Sequence, residues 1–105
     1  MPPFHDYTVY VCILRCADGS YYVGSTRKTL DEQIGEHNGG AYRGYTFARR
    51  PVQLGWSQDF PHAVDAIACE RQREGWSRAK KEALIRGDWQ RVSALAKRRG
   101  GQSRG

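Results

Sequence analysis

The nine residues from Thr8 to Cys16 (TVYVCILRC) limit the folds open to this chain more than any other stretch. Both alternating sets, Val9-Val11-Ile13 and Tyr10-Cys12-Leu14, are largely apolar, so a strand here must be covered on both faces. It therefore belongs at the centre of a sheet. Ala17-Asp18-Gly19-Ser20 follows, and Gly19 accepts the positive φ that a tight antiparallel connection requires. Tyr21 to Ser25 is then the returning strand. Its two tyrosines leave on opposite faces, which puts Tyr22 beside Gly24 on one side and Tyr21 on the other.

A helix is expected from about Thr29 to Asn38. Thr29 can cap it, Asp31 and Glu32 sit in the positive first turn, Leu30 and Ile34 share a face, and Gly39 ends it. Gly35 in its interior costs about 1 kcal/mol relative to Ala, which points to close packing or a close ligand. Residues 39–50 mix glycines, aromatics and arginines too irregularly for a standard element and read as a loop. Pro51 opens a period-two strand with Val52, Leu54 and Trp56 inward and Gln53 and Ser57 outward. Pro61 precedes a helix from about His62 to Glu74, which Gly75 breaks. Ser77 can cap the next helix, to about Arg86, and Asp88 a last one with Trp89, Val92, Leu95 and Ala96 in one stripe. The expected architecture is α/β (α+β): one small domain, residues 1–96, with a three-stranded, largely antiparallel sheet flanked by helices. The tail 97–105 holds no apolar residue beyond glycine and is expected to be basic and disordered.

With 105 residues, 39% of them hydrophobic, the chain has room for one core. No run of eighteen apolar residues exists, and Met1-Pro2-Pro3-Phe4-His5-Asp6 lacks the features of a secretory signal, so a cytoplasmic, membrane-free monomer is expected. Cys12, Cys16 and Cys69 are odd in number and show no C-x-x-C spacing, which suggests neither a disulfide framework nor a structural zinc site. Seventeen Lys and Arg against eleven Asp and Glu leave a net charge of +6, favouring a polyanionic partner. Nucleic acid fits better than an anionic membrane, because no basic helix here carries a broad apolar face.

Tyr22 on a strand, His37 at the end of the first long helix and Glu70 within the second can join in one site. A tyrosine, a histidine and a carboxylate on a basic protein suit metal-assisted phosphodiester cleavage, the carboxylate holding a divalent cation and the tyrosine taking a proton from water. Each also has a plain structural explanation: a half-buried strand aromatic, a complement to the helix dipole, and the ion-paired end of an apolar turn. Arg71, Arg73, Arg78, Lys80, Lys81 and Arg86 span two helices and, exposed together, would neutralise phosphates; a solvated helix face is the alternative. In the loop, Tyr42, Tyr45 and Phe47 with Arg43, Arg49 and Arg50 suit base stacking and backbone grip, or else cap the core. No helix-turn-helix, RNP-type or zinc-finger signature is present.

The ordered residues Tyr10-Val11-Cys12, Tyr22-Val23-Gly24, His37-Asn38, Arg49-Arg50-Pro51-Val52, Glu70 and Gly75 to Ile85 resemble the GIY-YIG nuclease superfamily, in its small stand-alone bacterial branch. The resemblance, which spans about Tyr7 to Asp88, implies divalent-metal-dependent (Mg2+ or Mn2+) hydrolysis of DNA. It places Tyr22 as the general base, Glu70 as the metal ligand and His37 as an orienting or proton-relaying residue. Two positions depart from the family. Its first tyrosine is Cys12 here, which removes a phenolic hydroxyl, and its arginine is Gln33, which can hydrogen-bond a phosphate oxygen but carries no charge. Arg27 and Lys28 stand close enough in sequence to substitute in part. Cys12 and Gln33 favour a second reading, a catalytically inactive nucleic-acid-binding module on the same fold.

Overall fold

The computed structural model describes residues 8–104, with side chains described as far as Ala96. The N-terminal residues read for export signals lie outside that range, as do the side chains of the tail expected to be disordered. Two compact units divide between Gly75 and Trp76. The first contains β1 (Val9–Arg15), β2 (Tyr21–Thr26), α1 (Leu30–Asn38), β3 (Gln53–Phe60) and α2 (Ala63–Glu74). The second contains α3 (Arg78–Arg86) and α4 (Trp89–Arg104), which pack on each other.

The three strands form an antiparallel sheet in the order β2-β1-β3, so the doubly apolar strand is central, as expected. Val11, Cys12, Ile13 and Leu14 of β1 are fully buried. Cys12, Leu14, Cys16 and Val52 form one cluster, against which Tyr22 of β2 and Leu30 and Ile34 of α1 pack. Helix α2 packs on the sheet and buries Ala66. Gly19 takes the positive φ of the hairpin turn, 86°.

Strand β3 departs from its expected alternation. Ile13 pairs with Trp56 but Leu14 pairs with Leu54, which leaves Gly55 as an extra residue on the edge strand. A bulge of this kind breaks the period of two. Trp56, paired with Ile13, therefore stands on the opposite face from Leu54, paired with Leu14, although the two were expected to share one. Val52, just before the strand, is buried as expected, whereas Leu54, expected inward, is 41% exposed on the edge strand. Helix α1 is closed by more than its cap residue: Thr29 Oγ1 accepts from the Glu32 amide at 3.2 Å and Glu32 Oε1 from the Thr29 amide at 3.0 Å, a reciprocal capping box. Gly35 is not explained by close packing, because a Cβ there would meet nothing within 4 Å.

The irregular segment after α1 is pinned at both ends. Asn38 donates to the Val52 carbonyl at 3.1 Å and accepts from the Val52 amide at 2.7 Å, tying the end of α1 to the start of β3. Between them, Phe47–Arg49 makes one 3-10 turn, and the Arg49 carbonyl accepts from the Ala17 amide of the hairpin at 2.9 Å. The loop thus returns to the same face of the sheet region from which Tyr22 projects.

Candidate active site

The pattern Tyr-x-Gly on β2 has a direct steric cause. The Tyr22 ring lies back along its own strand, and a Cβ on Gly24 would stand 2.8 Å from Tyr22 Cε2, closer than real Cβ atoms come. Glycine makes room for the ring. In that position Tyr22 meets His37 edge to face, with centroids 5.4 Å apart, and stacks with Tyr45 of the loop at 6.1 Å.

His37 and Gln33 lie one helical turn apart on α1, on the face turned inward, and both are buried. With its amide nitrogen toward the ring, Gln33 meets His37 Nε2 at 3.1 Å, and His37 Nδ1 lies 2.7 Å from Thr46 Oγ1. An amide NH2 only donates, so Nε2 accepts and the Nδ1–H donates to the threonine. The imidazole is then neutral. Burial acts in the same direction, lowering the His37 pKa below its ordinary value. Tyr42 tilts against the His37 ring at 4.6 Å and gives its single hydroxyl proton to Glu36 Oε1 at 2.6 Å. Its 3.4 Å approach to Gln33 Oε1 is therefore a contact, not a second donated bond. Lys28 pairs with Glu36 at 2.6 Å, and the hydrogen bonds from Lys28 and Tyr42 hold the Glu36 carboxyl below its usual range.

Tyr22, Ser25, Gln33, His37, Tyr42 and Tyr45 are among the residues lining a cavity of about 240 Å³. Glu70 of α2 borders it through Ser25, whose hydroxyl donates to Glu70 Oε1 at 2.9 Å. The Tyr22 pKa is raised, first by burial and then by the negative charge of Glu70. Cys12 is fully buried beneath this site. Burial pushes its thiol up to about 11, with Glu70 adding to the shift and a backbone hydrogen bond with Gly24 opposing it. A thiol in that state is a packing group and not a base.

No cluster of three or more His, Cys, Asp or Glu able to hold a metal occurs among the described residues. Glu70 is a single carboxylate at the cavity border, and one carboxylate completed by water and substrate phosphate is within the coordination habits of magnesium. The donor set fits a weak, substrate-completed cation.

The expected phosphate-binding residues divide into four groups. Arg71 and Arg78 are exposed, and Lys81 is half-buried. Arg43 and Arg50 instead lie on the ring of Phe47, at 4.4 and 4.2 Å from its centroid, and Arg49 lies on Tyr45 at 3.9 Å while pairing with Asp18. The loop's arginines thus cover its own aromatics. Arg27 and Lys28 are exposed, Lys28 being held by Glu36. Lys80 corrects the expectation of a shared exposed face: it is 8% exposed, with its ammonium over the Trp76 ring at 4.1 Å. Its aliphatic stem is buried and its charge satisfied locally. Sequence reasoning did not identify Thr46 and Ser25 as site residues. Thr46 reaches His37 only through a loop without periodicity, although the Gln33–His37 pairing was legible in their spacing of four.

A Tyr-x-Gly strand, a buried helical histidine and a carboxylate opposite them agree with comparison to known proteins, in which the GIY-YIG catalytic domain matches residues 7–83. This chain belongs to the GIY-YIG family. It is therefore a member of a nuclease family. A UPF0213 protein of Bacillus pumilus is 40% identical over 76 residues, which cover 72% of this chain and 76% of that one. One from Halobacterium salinarum is 37% identical over 76 residues, 72% of this chain and 97% of that one. The solution NMR structure of the UPF0213 protein BH0048 from Bacillus halodurans superposes with a TM-score of 0.50 at 35% identity, covering 84% of this chain and 96% of that one. The small GIY-YIG α+β fold expected from the sequence is the fold observed. No helix of the described residues is long and apolar enough to cross a membrane.

Proposed function

We propose that this chain hydrolyses phosphodiester bonds of DNA with a divalent cation, Mg2+ or Mn2+, at Glu70. The observation that carries this reading is the convergence of Tyr22 and His37 on one cavity that Glu70 borders through Ser25. When bound, the cation would neutralise phosphate charge and stabilise the leaving oxygen. Tyr22 holds or accepts the proton of the attacking water. Glu70 is one of the groups that raise the Tyr22 pKa, so neutralising its charge makes Tyr22 more acidic and a better participant near neutral pH. His37, neutral and fixed by Thr46, orients the Tyr22 ring. Gln33 supplies a donor, without charge, where the family has arginine.

A second reading, a nucleic-acid-binding module without catalysis, is favoured by one observation: Gln33, uncharged where the family has arginine, gives one of its two amide hydrogens to His37 Nε2. Cleavage of labelled single- and double-stranded DNA with Mg2+ or Mn2+ separates the two. The nuclease reading expects Glu70→Ala to lose cleavage on the order of a hundredfold or more, as removal of a metal ligand does, while DNA binding persists. Full cleavage in that variant removes Glu70 from the ligand role. Gln33→Arg is expected to raise the rate about tenfold or more by restoring a charged phosphate contact. Cleavage only in Gln33→Arg would establish the binding-module reading for the natural chain.

A further inference from the structure

The charge of this chain is not spread over it. Residues 1–75, the unit that holds the candidate site, carry eight Lys and Arg against nine Asp and Glu, a net of −1. Residues 76–105 carry nine against two, a net of +7. The whole positive excess thus lies in the two-helix unit, and α4 lies entirely beyond the family match, which ends at residue 83.

The side chains at the corner of that unit suit one partner. Gly87, in the left-handed region at φ 74°, ends α3, and the Asp88 carboxylate accepts from the Arg91 amide at 3.0 Å to start α4. This turn sets Arg86, Trp89 and Arg91 close together in sequence, all of them exposed, with Trp89 59% exposed. Arg86 reaches Asp88 only at 3.9 Å, and Arg78 is paired with Glu82 on the same helix. An exposed indole within three residues of two exposed arginines supplies the two elements of single-strand binding, a ring on which a base stacks and cations that hold phosphates. A membrane partner is disfavoured: Trp89 is the one large hydrophobic exposed among the described residues of this unit, and lipid binding needs a broad apolar face.

We infer that the C-terminal helical unit is the nucleic-acid anchor of this protein, with Arg86, Trp89 and Arg91 as its contact residues, and that the near-neutral first unit contributes chemistry rather than affinity. The inference rests on reading DNA as the substrate.

The test is fluorescence anisotropy of the full chain with labelled single-stranded and duplex DNA across a salt series. Arg86→Ala/Arg91→Ala is compared with the first-unit pair Arg27→Ala/Arg43→Ala. The anchor predicts that the C-terminal pair weakens binding about tenfold and lowers the slope of log K against log salt by roughly 1.5 to 2, one phosphate contact for each arginine. Trp89→Ala then weakens single-strand binding about tenfold, as loss of a stacked base does. The first-unit pair changes affinity less than threefold. An unchanged slope in the C-terminal pair overturns the proposal, as does a larger loss in the first-unit pair. Phosphatidylserine vesicles that bind as tightly as DNA and compete with it also overturn it, and assign the unit to membranes. Cleavage assayed on the same samples keeps the two readings apart. Binding through these residues without cutting leaves the anchor standing and removes the nuclease; cutting with binding indifferent to Arg86, Trp89 and Arg91 removes the anchor alone.

Discussion

At the scale of single residues, the site is organised by one histidine held from both sides. Tyr22, His37 and Glu70 follow as candidates from the sequence because their types and order along the chain match the family's pattern. Thr46 does not, since a hydrogen bond nine residues away across an irregular loop leaves no periodic trace. Yet Thr46 completes the tautomer that the Gln33 amide selects, because its hydroxyl accepts the Nδ1–H at 2.7 Å. Thr46→Val should remove that partner while keeping the shape. The expected outcome is a change in the His37 ring nitrogen chemical shifts, toward a mixture of tautomers, and a stability loss of about 1–3 kcal/mol for the unsatisfied buried donor. Thr46→Ser should restore both. Ring shifts unchanged in Thr46→Val would show that Gln33 alone sets the tautomer.

At the scale of elements, α1 is the one whose sequence and structure agree most closely, because its signals are local. The cap residue, acidic first turn and terminal glycine lie within the helix or next to it. Thr29→Ala, which breaks the reciprocal cap, is expected to cost about 1 kcal/mol in urea unfolding. Gly35 supplies the opposite test. The space around it is open, so Gly35→Ala should stabilise the fold by about 0.5–1 kcal/mol through helix propensity alone. A gain in stability with a loss of cleavage would mark Gly35 as the approach side of the substrate; a loss of stability would contradict the open space. Strand β3 shows where local reading fails. Its alternation of apolar residues suggested one buried face, but the pairing with β1 inserts Gly55 and puts Leu54 and Trp56 on opposite faces. A bulge is a property of two strands and cannot be read from one.

At the scale of the whole molecule, two groups with displaced titrations set limits on stability. His37 titrates below its ordinary value in the folded chain, so the unfolded chain binds its proton first as pH falls. Its contribution to stability is full above about pH 6.5 and is lost as the pH falls toward the lower, folded value. Cys12 titrates at about 11 when folded against 9.0 for an unperturbed thiol. Its contribution is full below pH 9 and is lost as the pH rises toward 11. Urea midpoints measured from pH 5 to 10.5 should therefore fall at both ends, and Cys12→Val should flatten the alkaline limb. An alkaline limb unchanged in that variant would assign the loss to other groups.

The sequence by itself determined the central strand, the hairpin, the helix caps, the family and the net positive charge, since each rests on residue type at short spacing. Tertiary structure decided what those residues can do. It folded the Tyr22 ring over Gly24, made His37 neutral, brought Glu70 to the cavity through Ser25, and buried Lys80 over Trp76. The physical reason is the same in each case. Protonation, exposure and reach depend on burial and on which side chains meet, and these exist only once the elements of each unit have packed.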